Sequence, residues 1–266
     1  MLVGLYPSGH FKMKPSTKAA SPTVNQAQKH ENGLILSYTA LQRLLGYIGL
    51  ALPMGLILYA VISGAGLQPS ISDFYYTPMG DVLVGTLCAI GVFLLCYRGY
   101  APLTEQHISD RQVSFVAGLA AIGVAIFPVV RAGYPPVCTV NPCLLFGSTW
   151  HPDVFHYASA GVFFACLAIF CLILFPRGDQ DTSGRIIWTT PRNKFYAVCG
   201  GLIVIAMGAM IPYVLGSPQT RDHLGQYNYL FWWETLGILA FAASWLRKGK
   251  AHDAVAKVIK TMTNAA

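Results

Sequence analysis

Three parts of this chain carry side chains whose types and spacing could do chemistry. The segment His151-Pro-Asp153-Val-Phe-His156 places two imidazoles and a carboxylate close together. Nitrogen and carboxylate oxygen are donors that suit zinc. With His223 from a later loop, His151, Asp153 and His156 could hold a metal whose bound water attacks an ester or amide. Against this, the spacing matches no strong zinc signature such as H-E-x-x-H. Pro152 also keeps His151 and His156 off a common helix. The plainer reading has His156 hydrogen-bonded to a neighbouring helix and His151 in a loop. A second set, Asp81, His156 and Glu234, lies at the edges of apolar runs. Ionisable groups there usually face a bundle interior and pair. Joined by Ser72, Asp73 and Arg131, they would form a polar pocket for a lipid headgroup, a small ligand or a partner. The alternative leaves them solvated at headgroup level. The third part is a loop in which Cys138 and Cys143 are the two Cys outside the apolar runs. An oxidising compartment would let them close a disulfide.

These residues need elements to hold them, and composition says which kind. Of 266 residues, 54% are hydrophobic and 11% are charged, against about 25% charged in a soluble domain. That excludes an ordinary soluble fold, and disorder as well, since disorder needs low hydrophobicity and high charge. Six apolar runs, 44–63, 80–97, 113–130, 154–175, 195–215 and 229–246, approach the ~20 residues a helix needs to cross a bilayer. None alternates as a membrane strand would. The expected fold is an all-α integral membrane protein, a bundle of six spans over 43–247. Glycines and alanines in the third and fifth runs, Gly118, Gly123, Gly200, Gly201 and Gly208 among them, are expected to let helices approach closely.

Charge sets the orientation. Sixteen of the 18 Lys and Arg fall on the side of the two termini, and only Arg131 and Arg221 fall on the other. By the positive-inside rule both termini are cytoplasmic. Residues 1–42 read as a loose polar basic tail without a cleavable signal, the first apolar run beginning near Leu44. Residues 248–266 read as a second basic tail, in which Ala254, Val255, Val258, Ile259 and Met262 could form a short helix on the membrane surface. The net charge of +7 reports topology rather than nucleic acid, because no basic stripe lies outside tails and loops.

Two segments carry a family resemblance. Ser70-Ile-Ser-Asp73 follows the first run, and Val154-Phe-His-Tyr-Ala-Ser-Ala-Gly-Val-Phe-Phe164 opens the fourth. In these the chain resembles the DRAM/FRAG/SFK-like membrane proteins and their prokaryotic relatives of unknown function. The resemblance implies six spans, cytoplasmic termini and a link to lipid handling, and it singles out Ser72, Asp73 and His156. A more distant similarity is to the ceramidase-like membrane hydrolases, which set Ser, Asp and three His around zinc. Ser72, Asp81, His151, His156 and His223 would be the counterparts, but the H-x-x-x-H pair and a seventh span are missing. The leading expectation is therefore a non-enzymatic multi-pass protein without a cofactor, in a bacterial inner membrane or a eukaryotic endomembrane or plasma membrane. Its partners would be membrane lipids, a protein or further copies of itself, and not nucleic acid. The alternative is a zinc-dependent lipid amidase or esterase at the same face.

Overall fold

The computed structural model describes residues 22–99, 108–130 and 152–250, with side chains from Tyr38 onward except that of Pro152. The chain divides into one unit ending at Tyr38 and a second starting at Thr39. Of the first unit only the helical backbone from Pro22 is described, and the packed helical bundle belongs to the second. Arg131, Cys138, Cys143, His151 and the C-terminal segment 251–263 lie outside the described residues.

The long elements are α-helices: α1 (Pro22–Ser63), α2 (Gly80–Cys96), α3 (Asp110–Ile126), α4 (Pro152–Ile169), α5 (Pro191–Val214) and α7 (Tyr229–Lys248). The described residues also form a short α6 (Pro218–Gly225), a 3-10 turn (Ser72–Tyr76) and an isolated antiparallel bridge, Gln180 to Ile186. α1 starts well before the apolar run, so the polar stretch from Pro22 to Gln42 is helical rather than irregular. That stretch has a single Gly and, after Pro22, no further Pro, so nothing in it breaks a helix.

The helix ends follow local chemistry. Ser109 caps α3, its hydroxyl accepting from the Gln112 N–H while the Gln112 side chain accepts from the Ser109 N–H. Thr190 caps α5 and Ser217 caps α6, each followed by a Pro that needs no hydrogen-bond partner in the first turn. α1 stops at Ser63, before Gly64 and Gly66 in left-handed backbone. At the far end of α4, Pro176 offers no N–H to the carbonyl four residues back. The chain widens into a π-turn (Phe170–Leu174), with the Phe175 N–H bonded to the Phe170 carbonyl, then tightens into a 3-10 turn (Phe175–Gly178).

α2 packs most closely on α3, α3 also on α4, and α5 on α7. Glycine makes the closest approach possible. A Cβ on Gly118 would lie 2.8 Å from the Gly91 carbonyl oxygen, and one on Gly91 would lie 2.9 Å from that of Gly118. On α1, Cβ atoms at Gly46 and Gly49 would press on Leu246 and Ala242 of α7. The base of the core is aromatic: fully buried Trp245 has the rings of Tyr97, Phe175 and Phe170 at 5.1, 5.3 and 5.5 Å. Such pairs add roughly 0.5–1.5 kcal/mol each beyond area burial.

Three helical stretches, Tyr38–Ser63, Asp153–Gly178 and Pro191–Val214, are long and apolar enough to cross a membrane. α2 and α3 have 17 residues each, about 26 Å at 1.5 Å per residue. Large apolar side chains cover the outside of the helices, including Leu58, Ile62, Val92, Phe115, Leu119 and Leu215, all more than half exposed. A surface of this kind is a liability in water and ordinary against lipid. The chain is thus an all-helical protein with the marks of membrane insertion.

Candidate functional site

The site lies where α3 and α5 end and α4 and α7 begin. The 3-10 turn is pinned there to α7 by backbone bonds. The Phe231 N–H donates to the Pro69 carbonyl at 3.0 Å, and the Ile71 N–H donates to Glu234 Oε2 at 2.6 Å. The turn closes on itself as well: the Ser70 hydroxyl donates to Asp73 Oδ2 at 2.7 Å and accepts from the Asp73 N–H at 3.0 Å.

His156, buried on α4, bridges two other elements. Its Nδ1 lies 2.6 Å from the Phe127 carbonyl just past α3, and its Nε2 lies 2.9 Å from Ser72 Oγ. A carbonyl only accepts, so Nδ1 carries the proton. In the neutral imidazole Nε2 then holds the lone pair and the Ser72 hydroxyl donates to it. Both nitrogens are in use. The Ser72–His156 pair also has the form of a hydroxyl beside a base, as in acyl transfer. Size argues against that use. Among the described residues, two cavities that Ser72 lines measure about 40 and 10 Å³. A water needs roughly 10–15 Å³, so these spaces suit a water or two and not a lipid ester.

A far larger space opens next to this cluster. A groove of about 650 Å³ runs between α4 and α5 with α7 behind it. This falls within the ~300–1,000 Å³ of small-molecule sites. Its head is polar, formed by His156, Tyr157 and Glu234. Below the head the walls are apolar, with Ala165 and Ala168 on α4 and Val204, Met207 and Ile211 on α5. From His156 to Ile169 the groove follows 14 residues of α4, a rise of about 20 Å at 1.5 Å per step.

Glycine keeps it open. A Cβ on Gly161 of α4 or Gly208 of α5 would meet nothing within 4 Å, and both residues line the groove. Farther down, α4 and α5 close up: a Cβ on Gly200 would lie 2.4 Å from Leu172 Cγ and 3.1 Å from Cys171 Cβ. The small residues expected to bring helices together therefore do so at Gly118, Gly123 and Gly200, while Gly201 and Gly208 face open space.

Ser72, Asp73, His156 and Glu234 thus gather at one place. Asp81 does not join them; it is exposed in the first turn of α2, where a carboxylate suits the helix dipole. Asp153 occupies the first turn of α4, with Oδ1 accepting from the Val154 N–H. His223 is exposed on α6, its ring against Tyr227 at 5.6 Å. Among the described residues no three His, Cys, Asp or Glu side chains converge as a metal site would require. Sequence reasoning missed Ser70, which orders the turn, and the walls of the groove. An I-S-D segment preceded by Ser could have flagged the first as a hydroxyl–carboxylate turn.

Tyr157 on α4 and Tyr213 on α5 flank the head, both within electrostatic reach of Asp73, Glu234 and Arg221. Arg221 spends its guanidinium on main-chain carbonyls at the end of α5, those of Tyr213 at 3.1 Å and Val214 at 2.7 Å. Compared with family models, with curated proteins and with solved structures, the chain matches none. The geometry of the site is therefore the ground for a functional reading.

Proposed function

We propose that α1, α2, α3, α4, α5 and α7 all cross the membrane, with both termini cytoplasmic, and that the bundle binds one membrane lipid. The lipid's chain lies in the groove between α4 and α5, and its headgroup meets the cluster of His156, Tyr157 and Glu234. The 16-to-2 split of Lys and Arg supports the orientation. The exposed apolar side chains on α2 and α3 support membrane burial of these shorter helices too. The motif resemblance to DRAM/FRAG/SFK-like proteins points the same way, since it rests on Ser72, Asp73 and His156, which gather with Glu234 at this place.

One observation carries the binding reading. An apolar groove of about 650 Å³ ends in a polar cluster and is bordered by exposed apolar residues, Val204, Ile211 and Leu215 among them. Its ~20 Å length exceeds half of a ~30 Å hydrocarbon core, so an acyl chain from one leaflet can occupy it end to end.

Lipid co-purification, read by mass spectrometry of gently extracted protein, tests this. The wild type should carry bound lipid. A Gly161→Leu, Gly208→Leu double variant fills the open space and should lose most of it while keeping its helical content. Unchanged lipid in the double variant would sink the proposal.

A further inference from the structure

We infer that the lipid this groove selects carries a protonated amine in its headgroup; the inference rests on the lipid-binding reading. It starts from Glu234. This carboxylate stands at the polar head of an otherwise apolar groove and also lines the small cavity beside Ser72. Its one hydrogen bond among the described residues comes from the Ile71 N–H to Oε2. Oε1 is left for a ligand. A carboxylate in such surroundings is costly unless a cation or several donors meet it.

No cation among the described residues does so. The one ion pair among them, Arg192 with Asp179 at 3.0 Å, joins α5 to the loop at the opposite end. Arg221 is turned to the carbonyls that end α5. His156 has both ring nitrogens engaged, Nδ1 by the Phe127 carbonyl and Nε2 by the Ser72 hydroxyl, and makes no ion pair with Glu234. Asp73 adds a second carboxylate nearby, already held in the turn by Ser70. Tyr157 lines the groove at the same level, and an aromatic ring can also receive an ammonium group. Among the described residues, the head of the groove thus offers a carboxylate and an aromatic ring to a cation on an alkyl chain.

A long-chain primary alkylamine and an aminophospholipid share this chemistry. The test uses the full chain in nanodiscs. Binding of a long-chain alkylamine is compared with that of the alcohol of equal length, and phosphatidylethanolamine is compared with phosphatidylglycerol of equal chains. A hydrogen bond to a charged group is worth roughly 1.5–3 kcal/mol, so the amine should bind about tenfold or more tightly than the alcohol. Preference for phosphatidylethanolamine as well would point to a phospholipid source; preference confined to the alkylamine would point to a single-chain base. Glu234→Gln keeps an oxygen for the Ile71 N–H and should erase the preference. The wild-type ratio needs no variant and stands if that protein misfolds. Equal binding of amine and alcohol would overturn the inference and leave lipid binding intact. Amine preference that persists in Glu234→Gln, or in Gly161→Leu, Gly208→Leu, would overturn it by placing selection elsewhere. No binding of any of the four probes would overturn both readings.

Discussion

Glycine does opposite work at two helix contacts of this protein. Between α2 and α3, Gly91 and Gly118 face each other so closely that neither can carry a side chain. Between α4 and α5, Gly161 and Gly208 face a space that no side chain fills. The residue type is the same, and so is its helical setting. The difference lies in what stands opposite: a backbone oxygen in one case, an open groove with a polar head in the other. A close-packed pair is the expected use of glycine where the hydrophobic effect cannot drive association. A glycine that touches nothing lowers helix propensity by about 1 kcal/mol and gains no contact. Such a position is intelligible where a ligand occupies the gap.

Substitution separates the two uses. The largest effect is expected from Gly118→Ala. Its Cβ would press on backbone at Gly91 and Leu95, which cannot rotate away. Overpacking of this kind costs ~1–3 kcal/mol, more than helix propensity returns, and thermal unfolding should show a clear drop. Ser72→Ala comes next. It removes the hydroxyl that donates to buried His156 Nε2, and an unsatisfied buried acceptor costs ~1–3 kcal/mol. The small adjoining cavity can admit a water to that nitrogen, which places the loss near the lower end. Retained stability would mean that the His156 bridge holds little of the site together.

Gly208→Ala should act in the other direction, raising stability by about 0.5–1 kcal/mol because its methyl meets no neighbour. A destabilised Gly208→Ala would show the groove to be narrower than described and erase the contrast with Gly118. The smallest effect concerns the loop joining α4 to α5 at their closed end. Asp181 Oδ1 accepts from the Ser183 hydroxyl, the Ser183 N–H and the Arg185 N–H. The Ser183 hydroxyl first, then the Arg185 N–H, hold its pKa below the usual carboxylate value. A depressed folded pKa contributes stability that is present above the unfolded value and is lost as pH falls through the folded one. Protection of the Ser183 and Arg185 amides, measured as exchange relative to the intrinsic rate at each pH, should therefore fall under acid, with no change in lipid bound at the groove. Asp181→Asn should flatten that dependence.

Much of the architecture was legible in the residues, for identifiable reasons. Each apolar run from the second onward coincides with a helix to within a few residues, because continuous hydrophobicity over such lengths has few other structural outcomes. His156 and Glu234 could be singled out because ionisable groups at the edge of apolar runs are rare, and Ser72 and Asp73 through the motif resemblance. Their grouping, and the exclusion of Asp81 and His223 from it, depends on how the 3-10 turn folds back on α7. Spacing along the chain does not encode that. The groove was hidden for a different reason. Gly200 and Gly208 read identically in sequence, yet one meets Leu172 and the other open space. The π-turn at 170–174, which Pro176 accounts for, supplies Cys171 and Leu172 to the close contact at Gly200 and forms the lower limit of the splay.

Under the proposed lipid binding, the groove opens toward hydrocarbon past exposed Val204, Ile211 and Leu215, and this has a consequence for the proposed occupant. An alkyl chain entering from water would gain about 0.8 kcal/mol for each buried CH₂. A chain entering from the bilayer exchanges one hydrocarbon neighbour for another, and that gain vanishes. Every lipid in the leaflet has a chain to offer and arrives at nearly the same free energy. Chain length is then a weak criterion at this site. Discrimination among lipids falls to the few polar atoms at its top, where Glu234, His156 and Tyr157 stand.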